Sequence, residues 1–444
     1  MTDTLVKSAT SASEELAARS DAHLSPVMAR YFQTAWTRGE GHRLYDADGK
    51  VYLDFACGIA TTVLGHQHPA VTAAAHAQID QLWHMCNGLG YLEPVTQLAD
   101  ALAEVLPAGL DSVFFGNSGT EAIEGAIKLA RRSTGRGWVI GFAGGFHGRS
   151  YGSLSMTSSN LNYRVGHGPF LPETFIAPFP AAYRDFGGDE ALATEACLGF
   201  LRTVLATQIP PSEVAAFLIE PVQGEGGYYP APDAFLRGLR ELADEHGILL
   251  IADEVQTGYG RTGRMWGFES SGIVPDIITL AKGIANGLPL GAVVASRQRM
   301  ERWGRGAHGS TFGGNPVACA AGVAVLEEIR SAELVDNSAA RGAELTAGLR
   351  ELAASDARIG DVRGPGLMIG VELVKAGGTA DPGGTAEPDG ALADAVMARC
   401  LDDGLVLLTC GAAHNIVRWI APLNVTSAEC QEALGIFKGA LAAV

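Results

Sequence analysis

Positive charge is scarce in this 444-residue chain: 32 Lys and Arg stand against 49 Asp and Glu, a formal net charge of −17 at pH 7. An outside this negative repels phosphate backbones and anionic lipid, which argues against nucleic acid or a membrane surface as partner. Long apolar runs are missing too. No stretch reaches 18 apolar residues, and the opening MTDTLVKSATSASEELAARS has no apolar core of the kind a secretory leader needs, so a cytoplasmic protein is expected. The seven cysteines (Cys57, Cys86, Cys197, Cys319, Cys400, Cys410, Cys430) are odd in number, scattered and never spaced C-x-x-C. That excludes a disulfide framework and a zinc ribbon and fits a reducing compartment. The pair His66-x-His68 has no Cys or carboxylate nearby to complete a ligand set and reads as structural, so no metal is expected.

What the chain does have is apolar length. At 47% apolar over 444 positions it can build two or three domains, or one large core with a satellite, and disorder is excluded. The first 25 residues are polar, with a weak helical pattern at Glu14–Arg19, and read as an arm. LYDADGKVYLDF alternates around Asp48-Gly49 and predicts a two-residue hairpin. Short apolar runs follow at Val113–Phe115, Trp138–Phe142, Thr174–Ala177, Ala215–Ile219, Ile248–Ala252, Ile277–Leu280 and Gly291–Ala295, separated by amphipathic stretches. Runs that are apolar on both faces predict a mostly parallel sheet of about seven strands in an α/β core, with ligands beyond the carboxyl ends of the strands. Past Asn315-Pro316 a helical pattern runs to about Leu352; strands at Leu367–Val374, Val406–Thr409 and Ile416–Ile420 and a last helix then predict a smaller α+β lobe. Residues 376–391, AGGTADPGGTAEPDGA, have no periodicity and read as an exposed loop.

Two of the strand ends carry chemistry. Ile248–Ala252 leads into Asp253-Glu254-Val255-Gln256, where one carboxylate should face the crevice, and Asp276-Ile-Ile-Thr-Leu leads into Ala281-Lys282-Gly283. A lysine in such a wall is costly unless its charge is matched or removed, and condensation with an aldehyde cofactor removes it. Strand-end Asp and Lys together suit pyridoxal phosphate: the lysine binds the aldehyde, and the aspartate keeps the pyridine nitrogen protonated so that the ring accepts electrons. The phosphate of that cofactor needs a cradle. Gly116-Asn117-Ser118-Gly119-Thr120 opens a helix predicted over Glu121–Arg132, whose first N–H groups and dipole suit a dianion; Ser310-Thr311-Phe312-Gly313-Gly314-Asn315 is a second candidate. Each piece alone has a plain structural alternative, a strand-end cap for Asp253-Glu254 and an ordinary capped helix start for Ser118. Their order and spacing together carry the reading.

With these residues in place, the chain resembles the class III aminotransferases, pyridoxal phosphate enzymes of the aspartate-aminotransferase fold. The resemblance runs from about Tyr31 to the C-terminus. LLIADEVQTGYGRTG (249–263), Asp276 and LAKGIANGLPLGAVV (280–294) are its most specific parts; NSGTEAIEGAIKLAR (117–131), FHGR (146–149), IEPVQGEGGY (219–228) and STFGGNP (310–316) support it. It implies fold type I, with an N-terminal arm and part of the small domain in residues 1–65, a large cofactor domain in 66–325 and a C-terminal small domain in 326–444. It also implies that Lys282 is the catalytic Schiff-base lysine, that Asp253 pairs with the pyridine nitrogen, that Val255 packs under the ring and that Gln256 approaches its phenolic oxygen. Phe146 would stack on the other face, with His147 behind it, and Glu220 would be a further acidic residue near the cofactor. Ser118, Gly119 and Thr120 would hold the phosphate, joined by Thr311 from the neighbouring subunit of a homodimer.

On the substrate side the resemblance implies Arg149 as a carboxylate holder, Arg418 as the receptor for the α-carboxylate of 2-oxoglutarate, Glu225 as its mask during the other half-reaction, and Ile59 at the mouth with Trp83, His84 and Tyr91. Arg149, Glu225 and Arg418 together are nearest the 4-aminobutyrate type. The expectation is therefore a ping-pong transaminase that passes an amino group from an ω-amino acid or amine to a 2-oxo acid, 2-oxoglutarate or pyruvate. The same scaffold also admits an amino-acid racemase or epimerase, or a broad-specificity amine transaminase. A non-catalytic nucleotide binder fits poorly, since GGFHG (144–148) is not G-x-G-x-x-G and no G-x-x-x-x-G-K-[ST] occurs.

Overall fold

In a strand, alternate side chains face opposite sides of the sheet, so a strand covered on both faces must be apolar throughout. Val214–Ile219 shows the pattern at its fullest: all six residues are buried, Phe217 and Ile219 in the core layer on one face, Ala216 and Leu218 in the layer on the other. A computed structural model describes residues 11–376 and 386–444. Its strands are β1 (Trp36–Glu40), β2 (Arg43–Asp46), β3 (Val51–Asp54), β4 (Ser112–Gly116), β5 (Trp138–Phe142), β6 (Thr174–Ala177), β7 (Val214–Ile219), β8 (Leu249–Asp253), β9 (Ile277–Leu280), β10 (Gly291–Ala295), β11 (Ile359–Arg363), β12 (Ile369–Leu373), β13 (Leu405–Val406), β14 (Leu408–Cys410) and β15 (Ile416–Trp419).

The large sheet has seven strands in the order β4-β10-β9-β8-β7-β5-β6, parallel except for β10, which runs against both of its neighbours. This is the α/β, mostly parallel architecture of fold type I. Helix Gly119–Thr134 packs over one face, and helix Pro316–Ser331 packs on both Pro69–Gln81 and Glu93–Ala103. Two smaller sheets complete the molecule: β11-β12-β15-β14, antiparallel, and β1-β2-β3-β13, in which β13 pairs in parallel with β3 and so joins residues near both chain ends. No described helix is long and apolar enough to cross a membrane.

Several expectations need adjusting. The β2–β3 connection is four residues, not two, because Asp46 Oδ1 accepts from the N–H groups of Asp48 (3.0 Å) and Lys50 (2.8 Å) and builds a wider turn around Gly49, at φ +89°. The helical run after Pro316 is two helices, Pro316–Ser331 and Leu334–Ser355, broken where Glu333 adopts φ +51°. Val406–Thr409 divides between β13 and β14, which belong to different sheets. β1 and the full helix Ala12–His23 add to what periodicity indicated. The loop expected at 376–391 falls largely outside the described residues.

Candidate active site

β8 and β9 are parallel neighbours with Asp253 opposite Thr279, so their carboxyl ends open on the same side of the sheet. β8 ends in Asp253, and β9 is followed by Ala281 and Lys282. Asp253 is 4% exposed. Its Oδ1 accepts from the Val255 N–H (3.1 Å) and the Thr279 hydroxyl (3.0 Å), and Oδ2 lies 2.7 Å from His147 Nδ1. A carboxylate offers about four acceptor positions, so one remains for a ring N–H. The next residue, Glu254, faces elsewhere: it accepts from Thr257 Oγ1 (2.5 Å) and the N–H groups of Gly267 and Phe268 (both 2.9 Å), and burial pushes its carboxyl up to about 7. Of the two strand-end carboxylates, Asp253 borders the crevice and Glu254 pins the following loop.

His147 is fully enclosed. Burial opposes its charged form, but the hydrogen bond and charge of Asp253 outweigh burial, and the imidazole binds its proton more tightly than a free histidine. Glu220 Oε2 accepts from the Phe146 N–H and Oε1 from the Gly224 N–H, both at 2.9 Å. It thus ties the loop carrying Phe146 and His147 to the loop carrying Glu225. Burial raises the pKa of Glu220 against the pull of His147.

The helix start is pressed against these strand ends. Ser118 is its N-cap, accepting from the Glu121 N–H (3.3 Å), and Gly119 is its first residue, two positions earlier than the periodicity indicated. A Cβ on Gly119 would lie 2.9 Å from Val255 Cγ1 and 3.6 Å from Ala281 Cβ, so only a glycine lets the free N–H groups approach the residues flanking Asp253 and Lys282. Thr120 Oγ1 sits 2.6 Å from the hydroxyls of both Ser150 and Ser153, which fixes the Phe146–Arg149 loop to the same helix start.

Lys282 has φ +44°, a left-handed conformation that costs a non-glycine residue about 1–3 kcal/mol and persists only where the surroundings enforce it. Its amine has no hydrogen-bond partner among the described residues, and burial lowers its pKa against the opposing charges of Glu225 and Glu220. Burial thereby favours the neutral, nucleophilic amine. An unpartnered amine, a buried carboxylate with an acceptor position to spare and a glycine-opened anion seat are the three demands of pyridoxal phosphate, and the residues present fit it. Gln256 Oε1 accepts from the Tyr228 hydroxyl (2.7 Å), which leaves the amide NH2 as a donor. The run Gly258-Tyr-Gly-Arg-Thr-Gly263 has G-x-G-x-x-G lettering after a strand, but no α-helix opens from it, so it lacks the context of a dinucleotide loop.

Beyond this cluster, Arg418 on β15 is fully buried and ion-paired through Nη1 with Glu225, while its Nε and Nη2 are buried without partners among the described residues. Glu225 outweighs burial in raising its pKa. Tyr31 and Tyr228 stand close enough for the guanidinium to act, against burial, on their hydroxyls. Arg149 is exposed and lies over the rings of Tyr163 (4.8 Å) and Phe146 (5.7 Å), with no ion pair among the described residues. Ile59, at φ +67°, is 38% exposed. Thr311 is exposed, in a loop held by a 3.1 Å hydrogen bond from Asn117 Nδ2 to Ser310 Oγ; nearby, Phe312 lies 5.1 Å from the His84 ring. His66 Nε2 is 2.8 Å from Asp54 Oδ2. Sequence reasoning passed over Tyr228, Tyr163, Thr279, Ser150 and Ser153; only Tyr228 had a signal, the Gly-Gly-Tyr-Tyr run beside Glu225.

Comparison with known proteins agrees with this geometry. A family model described as aminotransferase class-III matches residues 25–441. The chain is 39% identical over 400 residues to a 5-aminovalerate aminotransferase of Pseudomonas aeruginosa, covering 90% of this chain and 91% of that one. It is 38% identical over 400 residues to a 4-aminobutyrate aminotransferase of Escherichia coli, with the same coverage. Among solved structures it superimposes with a TM-score of 0.90 on an (S)-enantioselective omega-transaminase from Thermomicrobium roseum, at 33% identity over 98% of this chain and 99% of that one. An amine transaminase from an uncultivated Pseudomonas species, in its PLP-bound form, gives 0.86 at 32% identity, over 95% and 97%. Strand-end lysine and aspartate, glycine-opened helix start and whole-length likeness lead to one conclusion: the chain belongs to the class-III aminotransferases, pyridoxal phosphate-dependent transaminases.

Proposed function

We propose that this transaminase takes the terminal amino group of an ω-amino acid of the 4-aminobutyrate or 5-aminovalerate class and passes it to 2-oxoglutarate. The observation that carries this reading is Arg418, buried, paired with Glu225 and left with two unpartnered donors. A guanidinium masked by a carboxylate that can swing away suits a pocket that takes an uncharged chain in one half-reaction and a carboxylate in the other. Arg149, cushioned on Tyr163 and free of ion pairs, is suited to the carboxylate at the far end of an ω-amino acid, and Ile59 lines the approach.

Bound at the strand ends, pyridoxal phosphate supplies an exchangeable carbonyl and an electron sink. Around it the chain's own residues divide the work. Lys282 Nζ accepts and returns the proton of the carbon that bears the amino group. Asp253, oriented by His147 and Thr279, would accept from a ring N–H; Val255 and Phe146 would pack against the ring; Gln256 would donate to its oxygen. Ser118, Gly119 and Thr120 would hold the phosphate. We read Glu220 as the residue that positions Phe146 and Glu225 relative to one another. Residues 1–65 and 326–444 form the smaller lobe with its arm and 66–325 the cofactor domain. A cytoplasmic homodimer, with Thr311 reaching the partner's phosphate, completes the reading.

A donor panel tests it. Purified holoenzyme mixed with 4-aminobutyrate or 5-aminovalerate should lose its cofactor absorbance near about 400 nm, and 2-oxoglutarate should restore it more effectively than pyruvate. Lys282→Ala should abolish the cycle. Absence of any change with ω-amino acids, or racemisation of an amino acid without a 2-oxo acid, would overturn the assignment.

A further inference from the structure

Asp276 belongs to the most distinctive run of the sequence, yet it precedes β9 at the end opposite Lys282, about 20 Å away along an extended strand. It takes no part in the site described above. Its Oδ2 accepts from Arg240 Nη1 (2.8 Å) and the Leu250 N–H (2.9 Å), and Oδ1 from Arg299 Nη2 (2.9 Å). Arg240 also pairs with Asp244 at 2.7 Å. Arg136 and Arg302 line the same cleft, of about 410 Å³, each with Nη1 on backbone carbonyls: Arg136 on Pro211, Val214, His246 and Gly247, Arg302 on Ser133.

Four guanidinium groups therefore face two carboxylates, a local surplus of two positive charges in a chain whose net charge is −17. The surplus is partly withdrawn from water. Arg240 Nε is buried without a hydrogen-bond partner, and Arg299 is half-buried, with burial lowering its pKa against the charge of Asp276. Arginine's planar fork matches phosphate oxygens, and one phosphate dianion balances two surplus charges, whereas a single carboxylate leaves one unmet. The cleft is larger than orthophosphate needs, and the Ser133 and Thr134 hydroxyls and the Gln298 amide line the remainder.

We propose that this cleft, at the end of the sheet opposite Lys282, is a second anion site that binds a small phosphorylated metabolite. The proposal is independent of the amino donor assigned above. Calorimetric titration of the holoenzyme, its own phosphate seat already filled, with inorganic pyrophosphate and with ribose 5-phosphate at constant ionic strength tests it. Dissociation constants of about 1 mM or tighter are expected. Arg302→Ala, which removes one fork, and Arg299→Lys, which keeps the charge beside Asp276 but not the fork, should each weaken binding about tenfold without altering the cofactor spectrum. No binding of either probe at millimolar concentration, or equal affinity in the parent and both variants, would overturn it.

Discussion

At the scale of single residues, the site is a set of groups whose charge is controlled by what touches them. Asp253 has three protein partners, and the closest is His147, which keeps its proton to a higher pH when folded than in the unfolded chain. The sign follows from linkage: between those two values the folded state binds more protons, so stability falls as pH rises. The contribution is complete below about pH 6.5, the ordinary histidine value, and is lost as pH climbs through the raised one. Replacing His147 with Gln, which can still donate to Asp253, should flatten the decline in urea midpoint as pH rises above about 6.5; an unchanged slope would remove His147 from this account. Much of this layer was legible in the sequence. Lys282, Asp253 and Gly119 sit where a strand ends or a helix begins, and local patterning marks such positions. Tyr163 and Ser153 were not legible, because they act through Phe146 and Thr120, 17 and 33 residues away, and nothing in local spacing records that meeting.

At the scale of elements, strand periodicity recovered β5, β6, β9 and β10 residue for residue, since each is a short, mostly apolar run bounded by turns or polar residues. The order β4-β10-β9-β8-β7-β5-β6 could not be read the same way, because an apolar run does not specify which other run lies beside it. The junction between β4 and helix Gly119–Thr134 is the most sensitive joint. A methyl group at Gly119 meets a β-branched valine rather than a flexible tip, so the helix start must retreat from Val255. Gly119→Ala should therefore weaken cofactor binding about tenfold or more while leaving the fold intact, as measured by equilibrium dialysis of pyridoxal phosphate against the reconstituted apoprotein. Undiminished affinity would mean that the phosphate seat lies elsewhere.

At the scale of the whole molecule, the net charge is −17, and the proposed cofactor and substrates, themselves anions, would be met by local exceptions to it: a helix start, Arg149 and Arg418. The outer surface also has an apolar exception. Trp83, Leu89, Tyr91 and Phe312 are 70%, 75%, 102% and 62% exposed, in or beside the two loops that carry His84 and Thr311. Large apolar side chains gathered in this way suit an interface, and the homodimer proposed above would cover them. Leu89→Glu combined with Tyr91→Glu should shift sedimentation toward the monomer and lower activity in parallel, because Thr311 would lose the phosphate it is proposed to reach. A fully active monomer would refute the shared site.

The parallel pairing of β13 with β3 has a consequence for biosynthesis. Leu53 donates its N–H to Gly404, about 350 residues downstream. At ribosomal rates of about 5–20 residues per second, the early strand is exposed for roughly 20 to 70 s before its neighbour is made. During that interval β3 presents an unsatisfied edge of the kind that recruits strands from other chains, while the seven-stranded sheet, complete by Ala295, can already have closed around its own core. Until β13 is made, the newborn chain carries at β3 an edge open to strands of other chains.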